Sequence, residues 1–233
     1  MPDDDVLGAA IYDYYYKASP AKLWVYDTIG PRVEMKVATY FRGRDAMPEL
    51  EKIALQECGG KVLDIGAGAG SHTLELQRMG LDVTALEISP KAVEVMLARG
   101  VDKAIAADIF SFDAGRYDTL LLLMNGIGLV QTLEGLRRFL QQAKALLQPG
   151  GQLLFDSSDV AYLYEDEGEW PADRYYGEIA CRYGYKRRKT DLFSWLYIDY
   201  ATLEKIAGEV GWAADFLFED ETEQYLVRLK VVA

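Results

Sequence analysis

The run Val62-Leu63-Asp64-Ile65-Gly66-Ala67-Gly68-Ala69-Gly70 constrains this chain more than any other segment. A short β-rich stretch from Lys61 to Ile65 empties into glycines and alanines, and a helical stretch begins at Ser71. A strand that leads through such a loop into a helix opens a βαβ unit, and the small residues let backbone approach a ligand closely. The pattern then repeats. Ser71 to Met79 reads as a helix stopped by Gly80, Val83 to Glu87 as a strand, and Ser89-Pro90 caps a helix that runs to Arg99 and stops at Gly100. Lys103 to Ala107 is a third strand. Asp118 to Met124 is almost continuously apolar, as a strand covered on both faces requires. A helix from about Leu133 to Leu147 ends at Pro149-Gly150-Gly151, and Gln152 to Asp156 is the fifth strand. Such alternation predicts right-handed crossovers in a doubly wound sheet.

The flanks read differently. From Val6 to Cys58 the expectation is mostly helix, rich in aromatic residues, with Pro48 opening a helix that Gly59-Gly60 ends. After Ser158, Tyr176 to Tyr185 and Leu192 to Ile198 look like two antiparallel strands joined by the basic turn Lys186-Arg187-Arg188-Lys189. Asp199 caps a helix closed by Gly211. Two last strands, Ala213 to Phe218 and Gln224 to Val232, flank an acidic turn. The expected organisation is a helical cover or lid over residues 1–58 and one compact α/β unit over residues 59–233, with a β-hairpin insertion at about 174–198.

Composition narrows the partners. The 233 residues carry a net charge of −12, which opposes a nucleic-acid backbone or an anionic membrane as the main partner. Cys58 and Cys181 lie far apart in no paired motif, which points to a reducing compartment rather than a disulfide scaffold. The acidic start Met1-Pro2-Asp3-Asp4-Asp5 is unlike a signal peptide, and no apolar run approaches the ~18 residues of a membrane span. A cytoplasmic protein is expected, with homodimer formation left open. With one histidine and no compact carboxylate cluster, no dedicated catalytic metal is expected.

The glycine loop also speaks to the ligand. The dinucleotide fingerprint is G-x-G-x-x-G, but the third glycine here comes one residue early. Asp64, two positions before Gly66, would oppose a phosphate and suits an ammonium group. Glu87 ends the second strand about 20 residues after the loop, where a carboxylate can accept from ribose hydroxyls. The alternative for Glu87 is an exposed helix-capping role. Asp108, just past the third strand, is placed to accept from an adenine amino group, although taken alone it reads as a loop or cap residue. Three carboxylates beyond successive strands define a ligand cleft, because open α/β sheets bind at the carboxyl ends of their strands.

These segments, with Ala106-Ala107-Asp108, Tyr117-Asp118 and Leu147-Gln148-Pro149-Gly150-Gly151, resemble the ordered motifs of the class I S-adenosylmethionine-dependent methyltransferases over about Lys61 to Asp156. The terminal strand pair resembles that family's antiparallel sheet ending. The resemblance implies a Rossmann-like fold, a doubly wound seven-stranded mixed sheet, here with the N-terminal helical cover and hairpin insertion. It implies methyl transfer from S-adenosylmethionine to a small-molecule acceptor by in-line displacement, leaving S-adenosylhomocysteine. It also implies that Asp64, Gly66, Ala67, Gly68 and Gly70 hold the methionine part of the cofactor. His72, the lone histidine, lies at the start of the loop's helix, where it is expected to contact the cofactor, with a purely structural role as the alternative. Glu87 takes the ribose, with Ile88 next to it, and Asp108 and Ile109 the adenine. At the fourth-strand exit, Met124-Asn125-Gly126-Ile127-Gly128 lacks the Asn/Asp-Pro-Pro-aromatic motif of nucleic-acid and protein-amide N-methyltransferases. Asn125 and Gly126 look more like the small-molecule enzymes, where the backbone contacts cofactor and substrate; a flexible Asn turn is the alternative.

The acceptor is expected among Tyr16, Tyr40 and Arg42, in an N-terminal segment that acts as a partial lid, against the alternative that these aromatics only pack on the sheet. No catalytic residue is assigned, since methyl transfer depends on positioning more than on acid–base chemistry. A catalytically silent protein that binds the cofactor or its product is the competing reading. A nicotinamide-dependent oxidoreductase is disfavoured by the early third glycine and Asp64.

Overall fold

The computed structural model describes residues 5–17, 21–164 and 170–232. Among them, six helices and twelve strands follow in the order α1 (Val6–Lys17), β1 (Leu23–Asp27), β2 (Val33–Met35), α2 (Glu49–Glu57), β3 (Lys61–Ile65), α3 (Ser71–Arg78), β4 (Asp82–Glu87), α4 (Pro90–Ala98), β5 (Ala104–Ala106), β6 (Tyr117–Leu122), α5 (Leu133–Leu146), β7 (Leu147–Ser158), β8 (Glu178–Tyr185), β9 (Arg188–Lys189), β10 (Phe193–Leu196), α6 (Tyr200–Glu209), β11 (Trp212–Glu219) and β12 (Gln224–Val231). Seven strands form one sheet in the order β11-β12-β7-β6-β3-β4-β5. The pairs β4/β5 and β6/β7 are parallel, whereas β12 runs antiparallel to both β7 and β11. This is the doubly wound α/β sheet that the strand–helix alternation predicts, with the seven-stranded, mixed order that the resemblance implies.

The chain divides into two compact units. One comprises Met1–Pro48, Leu63–Phe112 and Ala180–Phe193; the other comprises Glu49–Val62, Asp113–Ile179 and Ser194–Ala233.

In the first unit the N-terminal segment departs from the helical expectation. Among the described residues only α1 is an α-helix there; Leu23–Asp27 is a strand that pairs antiparallel with β2 and with β8, Leu23 standing opposite Tyr185 and Asp27 opposite Cys181. Alternating aromatic and branched residues suit a pleated surface, and a turn follows at once. The Asp27 carboxylate accepts from the N–H groups of Ile29 (2.9 Å) and Gly30 (2.7 Å), which fixes that turn. The helix α1 buries Val6, Ala10 and Ile11 in a cluster with Leu23, Val37, Ala69, Ala92, Val95 and Tyr185. Asp13 lies among them, buried. Burial alone would raise its pKa, but hydrogen bonds from Lys17, Lys186 and Tyr185 outweigh it and hold the carboxyl at about 2. Lys186 of the expected basic turn stays exposed but is tied to this carboxylate.

In the second unit the apolar runs become the core. Leu120, Leu121 and Leu122 of β6 and Leu153, Leu154 and Phe155 of β7 are fully buried, as are Leu136, Phe139, Leu140 and Ala143 along one face of α5. Thr132 caps α5 by accepting from the Gly135 N–H, and Asp199 caps α6 by accepting from the Thr202 N–H, the second as the sequence expects.

Candidate functional site

The glycine loop belongs to the first unit. From β3 the chain turns through Gly66, whose N–H donates to the Leu86 carbonyl (2.8 Å), so the loop is fastened to the end of β4. Gly68 N–H donates to Glu87 Oε2 and Ser89 N–H to Glu87 Oε1, each at 3.0 Å. Glu87 is 7% exposed, so the exposed-cap alternative does not hold. One carboxylate thus joins the loop, its own strand end and the start of α4. Burial raises its pKa against these donors.

Gly68 has a second constraint. Its φ is +56°, and a Cβ there would sit 2.9 Å from the ring of Tyr40. The loop therefore carries an aromatic face from the N-terminal segment. Burial raises the Tyr40 hydroxyl pKa, with Glu87 adding to the rise, and that hydroxyl donates to Met35 Sδ. Gly70 (φ +81°) packs its α-carbon against Val101 and Met96, leaving no space for a side chain before α3.

Asp64 is 2% exposed at the end of β3. It accepts from Thr73 Oγ1 at 2.5 Å and from the Thr73 N–H, in the first turn of α3. Burial raises its pKa, while nearby His72 and the Thr73 bonds oppose the rise. His72 is itself buried. On the other side, Ala106 stands opposite Glu87 in the β4/β5 pair, and Asp108 follows. Asp108 is exposed and caps a short 3-10 turn, its Oδ1 accepting from the Phe110 N–H (2.9 Å), while Ile109 is buried. Ile88 is 71% exposed, an apolar side chain left in solvent next to the buried Glu87.

The structure thus brings Asp64, the glycine loop, His72, Glu87 and Tyr40 together. Tyr16 is 47% exposed and its ring contacts are with Tyr12 (4.6 Å) and Tyr15 (4.8 Å) of its own helix. Arg42 follows the 3-10 turn Val37–Phe41 and is half-buried.

Arg99 is the residue that sequence reasoning passed over. Read only as the end of a helix, it turns back over the loop. Its guanidinium donates to the Ala69 carbonyl, to the Tyr40 and Phe41 carbonyls (both 3.4 Å) and to Ser71 Oγ (3.5 Å), and it lies 4.8 Å from the centre of the Phe41 ring. No local pattern marks an arginine whose partners are backbone carbonyls 30 and 59 residues away.

The second unit holds Asn125 and Gly126, at the exit of β6. Met124 (φ +63°) and Asn125 (φ +54°) are consecutive left-handed residues other than glycine, a conformation that costs free energy unless its surroundings impose it. The Asn125 N–H donates to Asp156 Oδ2 (2.8 Å), and Ser158 Oγ donates to Asn125 Oδ1 (3.2 Å). Gln224 Nε2 also donates to Asp156 Oδ2 (2.6 Å), whereas Oδ1 of this wholly buried carboxyl has no hydrogen-bond partner among the described residues. Burial pushes Asp156 up to about 6, and Glu51 adds to the rise. Asn125 is therefore held in an imposed turn, against the flexible-turn alternative. Gly128 lies under the Trp195 indole, where a Cβ would come 2.0 Å from Nε1.

Comparison with known proteins bears on this arrangement. A family model described as a methyltransferase domain matches residues 38–192. An S-adenosylmethionine-dependent methyltransferase from Bacteroides fragilis, solved with S-adenosylhomocysteine, is 41% identical over 100% of this chain and 97% of its own, with a TM-score of 0.93. Magnesium-protoporphyrin O-methyltransferase of Rhodobacter capsulatus is 32% identical over 41% of this chain, and demethylmenaquinone methyltransferase of Tropheryma whipplei (strain Twist) is 24% identical over 72%. The chain spans 44% and 62% of the length of these two relatives. With the ordered motifs, the sheet order and a full-length match all in agreement, the chain belongs to the class I S-adenosylmethionine-dependent methyltransferases.

Proposed function

We propose that the protein transfers the methyl group of S-adenosylmethionine to a small-molecule acceptor, and that the first unit's glycine loop, fastened to Glu87, receives the cofactor. The observation that carries this reading is the buried Glu87. A carboxylate offers about four acceptor positions, and the backbone N–H groups of Gly68, Ser89 and Ile88 turn to it without filling all of them. The remainder suit a ribose diol, and the exposed Ile88 beside it offers an apolar face for a flat base. The other end of the ligand fits as well. Asp64 pays a desolvation penalty that an incoming ammonium group would relieve.

When bound, the cofactor supplies an electrophilic methyl carbon, whose bond to sulfur breaks as the acceptor's lone pair forms its own. The chain has then to orient, to exclude water and to avoid competing bases. Gly68 and Gly70 let the loop backbone pack closely on Tyr40 and on Val101 and Met96, which fixes its course, and the Tyr40 ring walls the loop on one side. Positioning of this kind can supply about 7–11 kcal/mol of barrier lowering. Of the three acceptor candidates, Tyr40 has support from its place on Gly68, and Arg42 follows it closely in the chain. Tyr16, packed on its own helix, has less. The Asn125 backbone, held left-handed by Asp156 with Gly126 following it, is in keeping with a role of these two residues toward cofactor and acceptor.

The named relatives act on magnesium-protoporphyrin and demethylmenaquinone, both small molecules, which supports an acceptor of that class. The net charge of −12 favours a neutral or cationic acceptor over a nucleic acid. Two buried cysteines in no disulfide, Cys58 and Cys181, suit a reducing cytoplasm.

Calorimetric titration with S-adenosylhomocysteine and with NAD tests the proposal. Binding of the first and not the second is expected, and Glu87→Ala should weaken it by about 10- to 100-fold, as losing bonds to a charged acceptor does. Equal or tighter NAD binding, or an unchanged constant in Glu87→Ala, overturns the assignment.

A further inference from the structure

We propose that Arg99 is a positioning residue that makes the Tyr40–Phe41 segment and the glycine loop one mechanical piece, so that cofactor occupancy of the loop and order in that segment rise and fall together. The inference rests on the reading of the loop as the cofactor site.

The geometry is specific. The Arg99 guanidinium reaches the Ala69 carbonyl, inside the loop, and Ser71 Oγ, at the first residue of α3. The same group reaches the carbonyls of Tyr40 and Phe41, in a segment that precedes the loop by about thirty residues. Ser71 Oγ closes the circuit by donating to the Tyr40 carbonyl at 2.6 Å. Nη1 faces the Ala69 and Tyr40 carbonyls and Ser71 Oγ while Nη2 faces the Phe41 carbonyl, so one rigid plane spans both segments. Rings hold the plane in place: Phe41 lies beneath the guanidinium, and Tyr15 stacks on Phe41 at 6.2 Å and 7° while donating its hydroxyl to the Ala98 carbonyl. Arg99 itself is half-buried, so its bonds are partly shielded from water.

The consequence follows from what the segment presents. Tyr40's ring lies on Gly68, so any displacement of the Tyr40 backbone moves the wall of the loop. With Arg99 in place, a ligand that orders Gly68–Ser71 also orders Tyr40 and Phe41. A second tie from this part of the chain, Arg44 to Glu75 (3.3 Å), reaches the body of α3 and not the loop, so it provides a control.

Hydrogen exchange of the full chain, read by mass spectrometry with and without S-adenosylhomocysteine, separates the outcomes. In the wild type, ligand should slow exchange over both 66–71 and 37–41. In Arg99→Met the protection at 66–71 should persist while that at 37–41 is lost, with the dissociation constant raised roughly tenfold, the order of one charge-assisted hydrogen bond. Arg99→Lys keeps the charge and stem but lacks the fork, so it should restore charge without restoring the shared protection. Arg44→Met should keep it. Shared protection retained in Arg99→Met or Arg99→Lys, even at a lowered melting temperature, makes Arg99 merely structural and overturns the proposal. If the wild type does not bind S-adenosylhomocysteine at all, the cofactor reading fails. The ligand-free proteins then decide the coupling: faster exchange at both 37–41 and 66–71 in Arg99→Met supports it, and faster exchange at one alone overturns it.

Discussion

Gly68 illustrates how a single residue can answer to two independent demands. Its φ of +56° is unfavourable by about 1–2 kcal/mol for a residue with a side chain, and a Cβ would also meet Tyr40 at 2.9 Å. The two demands can be separated by mutation. Gly68→Ala should lower both thermal stability and affinity for S-adenosylhomocysteine. Adding Tyr40→Ala removes the clash but leaves the backbone cost, so the double variant should recover part of the stability of Gly68→Ala while staying below Tyr40→Ala. Strictly additive effects in that cycle would show that the ring and the loop do not meet. Gly66, Gly68 and Glu87 were legible from sequence because the strand, the loop and the next strand's last residue are close in the chain. Arg99 was not, since its partners are unlike in type and distant, and a helix-terminal arginine beside a glycine already has a sufficient local explanation.

At the scale of the element, the turn after β6 depends on one buried carboxyl from β7. Asp156 ties down Asn125, and with Asn125 the left-handed pair Met124–Asn125. Such a group makes a signed contribution to stability. Its folded pKa of about 6 lies above the usual 3.8, so the folded state holds a proton that the unfolded chain has released between those values. Stability should therefore fall as pH rises from about 4 to about 6, by up to about 3 kcal/mol for a two-unit shift. Glu51, which raises this pKa, and Tyr225, which senses the Asp156 charge, are titratable neighbours that stay in place in both proteins compared. Asp156→Asn preserves an oxygen for the Asn125 N–H and removes the ionisation. The difference in unfolding free energy between Asp156→Asn and wild type should move in the variant's favour across that window. Parallel curves from pH 4 to pH 7 would exclude this account. Sequence showed the turn's small residues and the strand, but not that the aspartate is buried with the bonds from Asn125 and Gln224 both on one oxygen.

At the scale of the whole molecule, the sheet was readable because each βα step is written locally: an apolar strand, glycines, a capped helix. The N-terminal segment was not, because its secondary structure is decided by a strand far along the chain. Trp24, Val25 and Tyr26 stand opposite Gly184, Tyr183 and Arg182, a pairing that no window of neighbouring residues contains. This changes what removal of the segment would do. A detachable lid could be cut away at Pro48, leaving cofactor binding intact and turnover lost. In this architecture the cut removes β1, which pairs on one side with β2 and on the other with β8. It also takes Val6, Ala10, Ile11, Leu23 and Val37 from the cluster they share with Ala69, Ala92, Val95 and Tyr185. Truncating one buried large aliphatic side chain costs about 2–5 kcal/mol, and a whole domain has about 5–15 kcal/mol to lose. A chain beginning at Pro48 should therefore lack a cooperative thermal transition and fail to bind S-adenosylhomocysteine, rather than bind it and stall. Cooperative unfolding near the full-length melting temperature, with cofactor affinity kept, would show instead that the segment is a separable cover and that β1 contributes little to the unit it joins.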